Sequence, residues 1–183
     1  MPLCAPLGVG MNHATSWTMD TQTSHALSND TRNLPKISDA RMRAKDVSVL
    51  NRLLRGEIAA VETYTQCIER LEDAGVKAQL TELCLSHQAR CERIRTRVRL
   101  LGGTPESHSG VWGTVAGVLE GGAALIGEKA ALRLLEEGEM HGIRHYDHIR
   151  EVSSATRNFI FNGLLPEQEH TTASLRSLRK RFE

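Results

Sequence analysis

The stretch LNRLLRGEIAAVETY, Leu50 to Tyr64, decides how the rest of the chain is read. Leu50, Leu54, Glu57, Val61 and Tyr64 recur at alternating steps of four and three, and Ile68 and Leu71 continue the series. Residues so spaced line one face of an α-helix, so the segment predicts a packing seam. A glutamate, Glu57, stands in that seam where a leucine is expected.

Working outward, this helix is expected to begin at Asp46 and to stop near Asp73-Ala74-Gly75, where glycine can take the left-handed conformation that closes a helix. A second helix, about Val76 to Leu101, follows almost at once, so the two must be antiparallel. Its seam is Leu80, Cys84, His87, Cys91, Ile94, Val98 and Leu101, and Gly102-Gly103-Thr104-Pro105 supplies the stop. Residues 103 to about 124 read as a long connection with one short amphipathic helix carrying Val111, Trp112, Val115, Val118 and Leu119, broken at Gly121-Gly122. A third helix, about Ile126 to Val152, has the seam Leu132, Glu136, Glu139, Ile143, Tyr146 and Ile149.

After a polar joint, Ser153 to Asn158, a last helix carries Ile160, Leu164, Glu167, Thr171, Leu175, Leu178 and Phe182. Pro166 either opens its regular part or kinks it. Two antiparallel hairpins joined by one long crossover give an all-α, four-helix bundle of the ferritin-like kind over residues 41–183. Residues 1–40 are rich in Ser, Thr, Asn, Pro and Gly without any apolar period, and are expected to form a disordered tail in which Trp17, His13 and His25 are inert.

Composition narrows the function classes. Lys+Arg number 23 against 22 Asp+Glu, a net charge of +1, which argues against a dedicated nucleic-acid binder. With two Trp, two Tyr and three Phe, base-stacking platforms are disfavoured and the core must be aliphatic. No run of about eighteen apolar residues exists to span a membrane, and Met1 to Gly10 lacks the basic start of a secretion signal, so a soluble, cytoplasmic protein without membrane or nucleic-acid partners is expected. Cys4, Cys67, Cys84 and Cys91 are too few and too uneven for a disulfide framework and are expected to be free thiols. The Gly-Gly pairs have no strand-to-helix phosphate cradle and no serine sits in a nucleophile elbow, which disfavours nucleotide enzymes and hydrolases.

Glu57, His87, Glu136, Glu139 and Glu167 all fall on seam positions, where an unpaired ionised group would cost several kcal/mol to desolvate. His170, three residues after Glu167, lies on nearly the same face. Carboxylates and imidazoles projecting inward from all four helices are a known way to hold iron or manganese, hard ions that favour oxygen and nitrogen ligands. The candidate metal set is therefore Glu57, His87, Glu136, Glu139, Glu167 and His170.

Leu50 to Tyr64 also resembles the first helix of bacterioferritins and rubrerythrins, with Glu57 at the metal-ligand position and Tyr64 one heptad on. Leu164-Leu165-Pro166-Glu167-Gln168-Glu169-His170 resembles their closing helix. The Leu101-Gly102-Gly103-Thr104-Pro105 stop and the Glu136-Glu137-Gly138-Glu139 stretch are similar to a less characterised bacterial branch of the ferritin-like superfamily. This resemblance covers residues 46 to 182. It implies a ferritin-like fold and redox handling of iron, oxygen or peroxide in stress or metal homeostasis, with the metal activating the small molecule. A homodimer is the expected assembly.

The departure is on helix two, where His87 and Arg90 occupy the positions at which ferritin-like metal proteins carry Glu-x-x-His. An imidazole can bind a metal, whereas a guanidinium is permanently cationic and cannot. One ion rather than a di-metal pair is the expectation. The alternative is a metal-free helical interaction or stress-adaptor module in which Arg90 forks onto Glu57, Glu136 or Glu139 in a buried salt cluster.

Three rival constellations have plain structural readings. Cys84, His87 and Cys91 share one face, but seven residues separate the cysteines by roughly 10.5 Å along the axis, too far for a disulfide; buried thiols are expected. His141, His145 and His148 point away from Glu139 and are expected on a solvated face. Arg90, Arg93, Arg95, Arg97 and Arg99, and Arg176, Arg179, Lys180 and Arg181 at the chain end, are expected to be solvated rather than an anion-binding patch.

Overall fold

Where a helix is already nucleated, each further residue is added at low cost, and α1 accordingly extends from Ile37 to Arg70, nine residues earlier than the apolar seam requires. Residues 37–45 are exposed, and Ala40, Arg41, Met42, Ala44 and Lys45 are good helix formers that need no tertiary support. The computed structural model describes residues 37–110 and 127–182. The expected tail up to residue 36, and the amphipathic segment with Trp112, lie outside the described residues.

α1 ends before Leu71-Glu72-Asp73, and α2 runs from Ala74 to Leu100. Gly75 does not close α1; it lies in the first turn of α2, whose N-cap is Asp73, its side chain accepting from the Val76 amide at 2.8 Å. At the other end Gly102, at φ 78°, terminates α2 as its sequence position predicts. α3 spans Glu128–Asp147 and stops short of Val152, although Ile149 and Val152 remain buried beyond it.

The expected polar joint at 153–158 is helical instead. Ser153 is an N-cap that accepts from the Thr156 amide, and α4 runs from Ser154 to Phe159. Asp46 of α1 supports this start: it is 1% exposed and accepts from the Ser153 amide at 2.9 Å and from the Thr156 hydroxyl at 2.8 Å. A π-helical turn, Ile160–Leu164, then leads into α5, Leu165–Arg179, with Pro166 in its first turn, where no amide donor is needed.

α1 pairs with α2, α3 with α5, α1 with α3, and α2 with α5, so the described residues form an all-α helical bundle. Gly103 lies against Val47 near the start of α1, and Asn51 bonds the Thr104 carbonyl at 2.9 Å. The start of α3 is at the opposite end, where Glu128 accepts from the Asp73 amide at 3.1 Å. α2 and α3 therefore both run away from the Asp73 end, antiparallel to α1 and α5. The core divides into an aliphatic cluster around Leu54, Ile94 and Ile160 and another around Leu80, Leu132 and Leu175. Charged residues lie between them.

Candidate functional site

The buried polar layer is built from all four helical rods. α1 supplies Glu57 and Tyr64, α2 supplies His87 and Arg90 three residues apart on one face, α3 supplies Glu139, and α5 supplies Gln168, Thr171 and Thr172. None is more than 5% exposed, and Arg90 is completely enclosed.

His87 links two helices. Its Nδ1 lies 2.8 Å from Glu57 Oε2 and its Nε2 lies 2.9 Å from Glu139 Oε1. Arg90 donates from Nε to Glu57 Oε1 at 3.0 Å, from Nη1 to Ser86 at 3.0 Å and from Nη2 to Gln168 Oε1 at 3.0 Å. Tyr64 donates to Glu139 Oε1 at 2.7 Å, and Gln168 donates to Glu139 Oε2 at 2.6 Å. The hydroxyls of Thr171 and Thr172 lie 3.1 and 3.0 Å from the same oxygen, each also within reach of the Gln168 carbonyl. All four carboxylate oxygens thus face protein donors.

Burial pushes the Glu57 carboxyl up, but the hydrogen bond and charge of His87 and the charge of Arg90 overcome it and hold it below the usual range. Glu139 follows the same pattern, with His87, Tyr64 and Thr172 outweighing burial. Burial alone would discharge His87; its bonds to Glu139 and Glu57 reverse that and raise its pKa. Two carboxylates, one imidazolium and one guanidinium sum to zero, the condition under which a charged cluster is tolerable away from water.

Of the six expected ligands, the structure brings together Glu57, His87 and Glu139. Glu136 is displaced because Leu135 takes the buried position on α3; its carboxylate turns to Arg176, at 3.1 Å, and to Arg179. Glu167 and His170 are displaced by the turn before them. Leu164, Gln168 and Thr172 follow Ile160 inward at steps of four, so Glu167 faces Arg93 of α2 and His170 is exposed. Among the described residues no three His, Cys, Asp or Glu side chains are grouped as ligands of one ion.

Sequence periodicity missed Gln168, Thr172 and Asp46, which are polar residues of ordinary surface type; Tyr64 and Thr171 lay in the seam but had no assigned role. Cys67, Cys84 and Cys91 are buried free thiols, as expected. Burial raises Cys67 to about 11 and Cys91 to about 12, which makes both poor nucleophiles.

Next to the polar layer, a partly open cavity of about 270 Å³ lies between α1 and α3, with His87 of α2 and Gln168 of α5 also reaching it. It exists because Gly56, Ala59 and Ala60 face Gly138 and Gly142, small residues that leave the space between the helices unfilled. Leu53, Leu134 and Leu135 form apolar wall, while Glu57, His87, Glu139 and Tyr146 lie at its polar side. His141 and His145, expected in solvent, instead line this cavity, with ring centroids 4.5 Å apart, edge to face. Burial lowers the pKa of both, His145 further through the neighbouring His141.

A family model described as a domain of unknown function, DUF2383, matches residues 45–151. The chain belongs to the DUF2383 family. The matched DUF2383 region contains α1 from Lys45 onward, all of α2 and all of α3, and hence Glu57, His87, Arg90 and Glu139, while Gln168, Thr171 and Thr172 lie beyond it. No curated protein and no solved structure matches this DUF2383 chain. Among its described residues, no helix is long and apolar enough to cross a membrane.

Proposed function

We propose that this chain is a ferritin-like bundle in which a guanidinium stands where a metal centre would be, making it a metal-free helical binding module. The order of helix directions, with α2 and α3 parallel across a long connection, supports the ferritin-like reading. The observation that carries the metal-free reading is Arg90, 0% exposed and bonded to Glu57.

The donor set as it stands does not suit a metal ion. A cation would have to displace Arg90 from Glu57, strip His87 from one or both carboxylates, and sit beside a guanidinium that cannot lose its charge. Charge balance is already reached by protein groups alone, so a divalent ion would leave a surplus of positive charge in the core. No iron, oxygen or peroxide step follows from these residues.

The convergence of Glu57, His87 and Glu139 from three helices favours the competing reading, a single iron or manganese ion held by those three. Elemental analysis of the full chain, purified without chelator and again after incubation with Fe(II) or Mn(II), separates the two. Far less than one metal per chain in both preparations is expected. Near-stoichiometric metal that disappears in Glu57→Ala and Glu139→Ala would overturn the proposal.

A further inference from the structure

The partly open cavity between α1 and α3 has two unlike ends. The two helices are antiparallel, so Leu53 and His145 lie at one end and Thr63 and Glu137 at the other. The stretch of α3 from Glu137 to His145 is about 12 Å of helix axis. Charges in contact with solvent are largely screened beyond about 8 Å at physiological salt. Glu137 is exposed and therefore adds little to the field at the His145 end.

His145 is half-buried, and its ring rests on α1: a Cβ at Gly56 would stand 3.6 Å from its Nδ1. Burial, His141, Arg52, His148 and Arg144 all weaken its hold on a proton. The acids that line the inner side are engaged elsewhere, Glu57 by His87 and Arg90, and Glu139 by His87, Tyr64 and Gln168. α2 contributes His87 to the wall and α5 the uncharged Gln168. A cation brought to His145 would meet the charges of Arg52 and Arg144. An anion would relieve their repulsion, and a carboxylate beside the imidazole would draw a proton onto it.

Size and lining limit the ligand further. Gly56, Ala59, Ala60 and Leu135 make most of the remaining wall apolar. A cavity of roughly 150 Å³ accepts benzene, so one of about 270 Å³ accepts a ring or short chain that carries one carboxylate. We infer that the α1–α3 cavity binds a small monocarboxylate, its apolar body between Ala60 and Gly142 and its carboxylate on the imidazole of His145. This rests on the reading of the chain as a binding module and names its class of ligand. The imidazole gains its proton as the carboxylate arrives, so one proton enters with the ligand.

Phenylacetate, phenylacetamide and phenethylamine, alike in shape and different in charge, test this on the full chain. Binding is followed by amide chemical-shift titration, with shifts expected at Ala60 and Gly142. At pH 6 phenylacetate should bind about 10- to 100-fold tighter than phenylacetamide, the worth of one charge-assisted hydrogen bond, and phenethylamine weakest of all. That advantage should shrink toward pH 8, by up to about tenfold per pH unit for one linked proton. His145→Gln should bind phenylacetate and phenylacetamide alike at both pH values, and its binding of phenylacetamide shows that the variant is folded. Metal content measured in the same samples bears on the metal-free reading alone, so the two conclusions fail separately. Absence of phenylacetate binding, no preference over phenylacetamide, a preference that is independent of pH or survives His145→Gln, or tighter binding of phenethylamine would each overturn the inference.

Discussion

Arg90 Nη2 lies 2.6 Å from Nδ1 of His87, and Glu57 Oε2 lies 2.8 Å from that same nitrogen. One ring atom therefore faces a permanent donor and a permanent acceptor, and both contacts cannot be hydrogen bonds at once. Protonated, Nδ1 donates to Glu57; neutral and bare, it accepts from Arg90 while Nε2 donates to Glu139. The protonation state of His87 thus decides whether α1 and α3 are both tied to α2 through this ring.

That switch gives a pH dependence with a definite sign. His87 has a raised pKa in the folded chain, so its contribution is complete below the unfolded value of about 6.5 and is lost as pH rises through the folded value. Glu57 and Glu139, both lowered, contribute above the unfolded carboxylate value of about 4.3 and lose that contribution as pH falls. Urea denaturation across pH should show greatest stability between these limits. His141 and His145, with lowered values, pull in the opposite direction near neutrality, so the readout is the difference between parent and His87→Gln: the variant should lack the decline above about pH 6.5. An identical decline in both chains would refute the assignment.

Removing Arg90 should be more damaging than removing any other arginine of α2. Arg90→Met leaves Glu57 buried without its fixed cation, a loss of about 3–5 kcal/mol. Glu57→Gln combined with Arg90→Met should recover a large part of it, because the charge that needed compensation is gone. Equilibrium denaturation of the two singles and the double measures this directly.

Of the four glutamates that periodicity placed in the core, Glu136 and Glu167 should behave as surface residues. Glu136→Ala and Glu167→Ala each break ion pairs in contact with solvent and should cost about 0–1 kcal/mol. Glu139→Ala, which strips partners from His87, Tyr64 and Gln168, should cost several times more. Comparable losses in all three would mean that the helix faces are wrongly assigned.

Asp46 is expected to hold the start of α4. Asp46→Ala leaves the Ser153 amide and the Thr156 hydroxyl without their acceptor, a loss of about 1–3 kcal/mol. Hydrogen exchange should accelerate at Ser153 and in the first turn of α4 before it does so in α2.

Periodicity was a good guide to the helices wherever the seam was aliphatic. Leu50, Leu54, Leu80, Ile94, Leu132 and Leu175 are all buried, because burying such side chains is favourable in any helical packing of these segments. It was a weaker guide at Gly75 and at 153–158, where capping side chains, Asp73 and Ser153, start a helix earlier than composition suggests.

For the candidate site the division is sharper. Local spacing and residue type were enough to put Glu57 and His87 on buried faces and to identify Arg90 as a cation out of place among metal ligands. Tertiary packing decided the rest: a π turn at Ile160–Leu164 placed Gln168 inward and Glu167 outward, and Leu135 took the buried position that the α3 seam gave to Glu136. A helix repeats every 3.6 residues, and neighbouring positions sit about 100° apart. A single widened turn is therefore enough to exchange a core residue for a surface one, and the stretch of chain that carries it shows no sign of this until a second helix is packed against it.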